Sequence, residues 1–236
     1  MTEKQNPVQM TTAIIPAAGK GIRIGGKVCK QYLFIGDHRI LTRTLLAFDS
    51  CERIHRILLV VSREESDFCK ERILDSLGLK NRVKVVIGGA TRQESVYNGL
   101  LSVGDKGGIV VIHDGVRPFI KQDQIAAVID GAKACGACII GIPADDTLKQ
   151  INQSGHIKET VEREKIWLAQ TPQAFRYDLI KKAHEKARKE GFSGTDDAIL
   201  VERMDETIKI LKGSRINFKI TTQADLDLAR KIADAN

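Results

Sequence analysis

Aromatic residues are scarce in this chain: among 236 residues there are seven Phe, three Tyr and one Trp. That leaves little of the stacking surface on which single-stranded nucleic acid is held. The net charge of +7 would suit a polyanion, yet lysine and arginine are spread along the chain, and a basic site for a small anionic substrate accounts for the charge equally well. Neither nucleic acid nor a membrane is expected as a partner. Long apolar runs are missing too. Stretches such as "ILLVV" at residues 57–61 fall far short of the roughly 20 residues that cross a bilayer, and the first ten residues lack the apolar core of a signal peptide. A soluble, cytoplasmic protein is the expectation. The cysteines are few and odd in number, at positions 29, 51, 69, 135 and 138, which argues for reduced thiols over a disulfide framework. Cys135 and Cys138 form a C-x-x-C, but no second pair or histidine pair follows, which argues against a metal site. No Pro/Gly-rich linker divides the chain.

What is present is a rhythm. The apolar runs "TAIIP", "RILLVV", "KVVIGG", "GIVVIHD" and "CIIGIP" read as strands, and residues 40–49, 64–77, 92–102 and 121–134 have helical spacing between them. Strand and helix in alternation predict one α/β domain over residues 1–236, Rossmann-like, with a mostly parallel sheet and helices on both faces. The rhythm breaks after Pro143. Alternating segments at 147–151 and 156–161, separated by "NQSG", predict a β-hairpin followed by a third extended segment, a β-arm of about 144–168 that projects from the sheet or meets another subunit. A helix at 176–189 follows, then "TDDAILVERM" with Thr195 as an N-cap. Strands near "IKILKG" and "INFKI" and a helix capped around Thr222 close the chain.

The segment "AAGKGIRIGGKVCKQY", residues 17–32, nearly matches two phosphate-binding signatures. For a dinucleotide loop, Gly25 falls one position late after Gly19 and Gly21; for a P-loop, Gly21 and Gly26-Lys27 are correctly spaced, but Val28 stands where a hydroxyl should bind magnesium. The following "VCKQYLFIG" reads as extended, not helical. What remains is a strand, Pro16, and a small-residue loop with cations, able to bring backbone N–H groups close to a polyphosphate. In an open α/β sheet the ligand sits beyond the carboxyl ends of the strands. That rule adds "GGATRQESV", "HDGVRPF" and residues 143–147 to the first loop. Asp114 could order magnesium or hold a substrate hydroxyl, or simply cap a turn. Arg117 could grip a phosphate with two hydrogen bonds or form a surface ion pair. Lys219 would be costly to bury in "INFKI" without an anion, unless it faces solvent.

"IIPAAGKGIR", "KQY", "GGATRQESV", "HDGVRPF", "DDTLK", "TVER", "QTPQAF", "TDDA" and "NFKITTQADLDLA" appear in the order and spacing of one family. From about residue 12 to 234 the chain resembles the 2-C-methyl-D-erythritol 4-phosphate cytidylyltransferases. The resemblance implies a Rossmann-like nucleotidyltransferase that joins CTP to methylerythritol phosphate and releases pyrophosphate, on the non-mevalonate route to isoprenoids. Position by position it implies a phosphate cradle at Pro16, Ala17, Ala18, Gly19 and Gly21, with Arg23 on the CTP phosphates and Lys30 as catalytic lysine. It assigns cytosine to Gly88, Gly89 and Ser95. Asp114, Arg117, Thr171, Thr195 and Lys219 would surround the methylerythritol phosphate and the reacting phosphates, with Lys219 among the catalytic cations. Mg2+ would be bound mainly through CTP phosphates, with Asp114 in or near its shell. Thr147 and Arg163 would lie on an arm that reaches the neighbouring subunit's site in a homodimer. Three positions depart from the family's pattern: Cys29 for its usual Pro, Ile24 for Met, and Asp197 for Glu. Ribitol-5-phosphate cytidylyltransferase is the close alternative, against which "PAAG" weighs. A non-catalytic CTP-binding regulator is the distant one, against which the retention of Lys30, Asp114 and Lys219 weighs.

Overall fold

The structure, a computed structural model, describes residues 10–19, 28–79, 82–104 and 107–235. Strand β1 (Thr11–Pro16) leads to a 3-10 turn, Lys30–Tyr32, and a small hairpin of β2 (Phe34–Ile35) and β3 (His38–Arg39). The stretch after the first loop is therefore a tight turn before it is extended. Then come α1 (Ile40–Asp49), β4 (Arg56–Val61), and one helical rod made of α2 (Ser66–Cys69), a π-helical turn and α3 (Asp75–Leu77). They are followed by β5 (Val83–Ile87), α4 (Arg92–Leu101), β6 (Ile109–Ile112), α5 (Gln122–Cys135) and β7 (Ala137–Pro143). The arm hairpin is β8 (Leu148–Ile151) against β9 (Ile157–Val161), and β10 (Trp167–Arg176), α6 (Tyr177–Lys189), α7 (Ala198–Glu202), β11 (Lys209–Lys212) and α8 (Gln223–Asp234) complete the chain.

Seven strands form one sheet in the order β11-β7-β10-β6-β1-β4-β5. The expected parallel strands pair as parallel, but β10, the third extended segment after the arm, inserts antiparallel between β6 and β7. The alternation of strand side chains then sets two cores. Ala13 and Ile15 face one side with Leu41, Phe48 and Val128, whereas Ile14 faces the other with Val96, Leu100, Phe175 and Ile180. Each fully buried Val, Leu, Ile or Phe among them contributes about 1.5–3 kcal/mol by leaving water. With both faces covered, only the ends of the strands remain for a polar site.

Two local expectations change. "INFKI" forms no strand, because the chain folds back through it: Ile220 donates its N–H to Val116 O, and the side chain of Lys219 turns to Asp114. Thr195 does not cap α7, which starts at Ala198. The Gln173 side chain accepts from the N–H groups of Asp197 and Ala198, and the Asp196 carboxylate from that of Ile199, so the orphan amides are already satisfied. Thr222 does cap α8, in a capping box with Asp225.

Candidate active site

At the carboxyl ends of β1, β5 and β6 a cavity of ≈ 250 Å³ opens, lined by residues 16–19, Lys30 and Gln31, residues 89–92, Ser95, Asp114, Val116 and Lys219. A larger cavity of ≈ 500 Å³ lies at the opposite ends of β4 and β5. Its arginines already have partners. Arg82 donates to the carbonyls of Asp49, Cys51 and Ile54, and Arg56 to that of Val103, so both guanidinium groups are tied to the backbone.

The cradle is shaped by Gln31, a buried residue whose amide donates to Ala17 O at 2.8 Å and Gly19 O at 3.1 Å. This fixes the first loop against the turn that carries Lys30. Cys29 ahead of it has φ −61° and ψ 137°, the region a proline would impose, so the departure at this position leaves the backbone path unchanged. Gly21, Arg23 and Ile24 lie outside the described residues. Across the cavity, a Cβ at Gly88 would stand 2.8 Å from both Ala18 Cβ and Ser95 Oγ, so the two loops touch only because that position has no side chain. Ser95 donates to Thr91 O and accepts from Gly89 N–H. Its hydroxyl hydrogen is thus engaged in shaping the turn, and only a lone pair is left for a base.

The far wall is an ion cluster. Asp114 follows β6, its side chain 8% exposed, and three cations meet it: Arg92 Nε at 2.9 Å from Oδ1, Lys219 Nζ at 3.0 Å and Arg117 Nε at 3.4 Å from Oδ2. Burial alone would raise the carboxyl, but Arg92, Lys219 and Arg117 together hold it well below the usual carboxylate range. Thr171, brought near where β10 slips register between Ala169 and Gln173, accepts from Asp114 N–H and meets His113 Nδ1. Arg117 also donates to Asn217 O, and Thr171 O accepts from the Asn217 amide. Thr171 and Arg117 therefore stand behind Asp114 and off the cavity lining. Thr147, Arg163 and Thr195 are exposed and off it as well, and Arg163 Nη1 donates to Asp145 O beside the arm.

The motif pattern does not single out Arg92. A signal for it exists all the same: it is the first residue of α4, where the helix dipole disfavours a cation, so an acidic partner there is favourable. It has two, since Nη1 lies 2.8 Å from Asp197 Oδ2. Asp197, the departure from Glu, in turn meets His184 Nε2 at 3.3 Å.

With this geometry in place, comparison with known proteins is specific. The family profile described as 2-C-methyl-D-erythritol 4-phosphate cytidylyltransferase matches residues 11–234. Curated proteins of that name from Syntrophus aciditrophicus and Geobacter metallireducens are 45% and 44% identical to this chain, over 92% of it and 93% and 94% of their own lengths. The crystal structure of 4-diphosphocytidyl-2C-methyl-D-erythritol synthase from Anaerococcus prevotii is similar with a TM-score of 0.86 at 32% identity, over 96% of both chains.

Proposed function

The chain belongs to the 2-C-methyl-D-erythritol 4-phosphate cytidylyltransferase family, and from that premise we propose how its residues divide the work. The enzyme moves a cytidylyl group from CTP to methylerythritol phosphate in isoprenoid precursor synthesis. The acceptor's phosphate is already a nucleophile, so no strong general base is needed. An acceptor oxygen forms a bond to the α-phosphorus, the bond from that phosphorus to the bridging oxygen breaks, and pyrophosphate leaves with the electron pair. Bringing one anion onto another is the barrier, and fixed positive charge is what lowers it.

The observation that carries this reading is that Lys30 and Lys219 line one cavity from opposite elements, the loop after β1 and the segment before α8. Lys30, with Arg23, holds the triphosphate and the charge that develops at the α-phosphate. Lys219 receives the acceptor's phosphate, and Asp114 a hydroxyl of the acceptor. Gly88, Gly89 and Ser95 hold cytosine. Among the described residues Asp114 is the one carboxylate lining the cavity, and both its oxygens already meet cations. That fits a Mg2+ ion carried by the nucleotide's phosphates better than one held in a protein cage. When bound, the ion would add positive charge to the phosphates. Thr147 and Arg163 serve the partner's site in a two-fold dimer, a reading supported by their exposure and by Ile151 and Ile157, 60% and 64% exposed on the arm. No described helix is long and apolar enough to cross a membrane, and all five cysteines are free thiols, which supports a cytoplasmic setting.

The test is pyrophosphate release from CTP and methylerythritol phosphate with Mg2+. Lys30→Ala lowers kcat by at least about 100-fold, on the order of 2.7 kcal/mol, with a smaller change in CTP affinity. A folded variant with near-normal kcat removes Lys30 from the mechanism.

A further inference from the structure

We propose that Arg92 is a positioning residue for the acceptor half of the site: anchored by Asp197, its guanidinium holds Asp114 anionic and in place while Lys219 turns to the acceptor's phosphate. The inference rests on the reading of Asp114 as the partner of an acceptor hydroxyl.

The three cations around Asp114 are not equivalent. The Lys219 side chain is 37% exposed, against 29% for Arg92 and 12% for Arg117, and it ends in a point charge on a flexible stem. It is the group best able to move to an arriving phosphate. Arg117 lies at 3.4 Å and is also bound to Asn217 O. Once Lys219 moves, Arg92 is the nearest fixed cation, and among the cations it does most to keep the Asp114 carboxyl ionised.

Its own anchor is rigid. Arg92 spans two carboxylates on different elements, Nε to Asp114 and Nη1 to Asp197. Asp197 is 1% exposed and fixed on two further sides, by His184 Nε2 and by the bond from its N–H to Gln173 Oε1. A chain of contacts thus runs from α6 through Asp197 and Arg92 to the wall of the cavity. A planar guanidinium can bridge both carboxylates, whereas an ammonium at the same position can neutralise only one at full strength.

Steady-state kinetics of Arg92→Gln, Arg92→Lys, Asp197→Asn and Asp114→Asn test this, each with a thermal melt. Arg92→Gln raises KM for methylerythritol phosphate at least about tenfold and KM for CTP less than about threefold, with Arg92→Lys in between. Asp197→Asn raises the same KM less, and combining it with Arg92→Gln adds nothing, because both act on one contact chain. Likewise, Arg92→Gln adds little in an Asp114→Asn background. Both KM values rising together with a fall in Tm would make Arg92 merely structural and overturn the proposal, as would fully additive double variants. An unchanged acceptor KM in Asp114→Asn overturns the reading of Asp114 itself. A raised one there with no change in Arg92→Gln overturns only the role of Arg92. Should Arg92→Gln not fold, the ratio of the two KM values in Arg92→Lys and Asp197→Asn decides the matter by the same criterion.

Discussion

At His113 both ring nitrogens are engaged in a fully buried setting. Nε2 meets Arg117 O at 3.0 Å, and because a carbonyl only accepts, that nitrogen carries the proton; Nδ1 then accepts from the Thr171 hydroxyl at 3.1 Å. Burial pushes the ring's pKa down to about 4. The unfolded ring titrates near 6.5, so between the two values the unfolded chain binds a proton that the folded chain refuses. Stability from this residue is complete above about pH 6.5 and is lost as pH falls towards 4, by roughly 3 kcal/mol in all. Below pH 4, Asp114 and Asp197 take over, since both carboxyls are held down by their cations and lose those contacts on protonation. Thermal melts followed by circular dichroism should therefore show Tm falling in two stages. His113→Asn should flatten the first stage while lowering Tm at pH 7, and an unchanged slope between pH 6.5 and 4 would show that His113 is not its source.

Two elements carry glycines for different reasons, and this separates stability from function. Gly88 follows β5 at the point where two loops of the cavity touch, and a methyl group there would press on Ala18 and Ser95. Gly136 ends α5 with φ +89°, and an added Cβ would meet nothing nearer than Leu179 at 3.8 Å. Its cost as alanine is therefore backbone strain, about 1–2 kcal/mol. Gly136 precedes β7, at the end of the sheet away from the cavity. Gly136→Ala should lower Tm by a few °C with kcat and both KM values within about twofold of wild type. Gly88→Ala should instead raise KM for CTP at least about tenfold. If the two variants show the same kinetic profile, the close approach at Gly88 has no part in nucleotide binding.

At the scale of the whole molecule the question is whether one chain completes its own site. Arg163 is exposed and does not line the cavity of its own chain. Refolding an equal mixture of Lys30→Ala and Arg163→Ala chains tests the shared site. If the site is shared, the subunit with intact Lys30 in a mixed dimer would receive Arg163 from its partner, so one site in two would be whole. Random pairing makes half of the dimers mixed, and activity should return to roughly a quarter of wild type per chain. Mixed dimers verified by mass spectrometry that stay as inactive as the parent variants would place Arg163 in its own subunit's site.

Elements whose side chains repeat with a clear period were legible from the residues alone: the apolar strands β1, β4, β5, β6 and β7, the helices between them, and the arm hairpin. The carboxyl-edge rule also pointed to the loops after β1, β5 and β6 that line the cavity, whereas residues 143–147, expected at the same edge, do not line it. Features that depend on contacts distant along the chain emerge only on folding. The antiparallel entry of β10 brings Thr171 to Asp114, 57 residues away. "INFKI" has the alternation of a strand, yet folds back to meet Val116 and Asp114. Arg92 and Asp197 are ordinary polar residues until folding buries them against each other. A buried charge is tolerated only when compensated, and its compensation is chosen by position in space, which spacing along the chain does not encode.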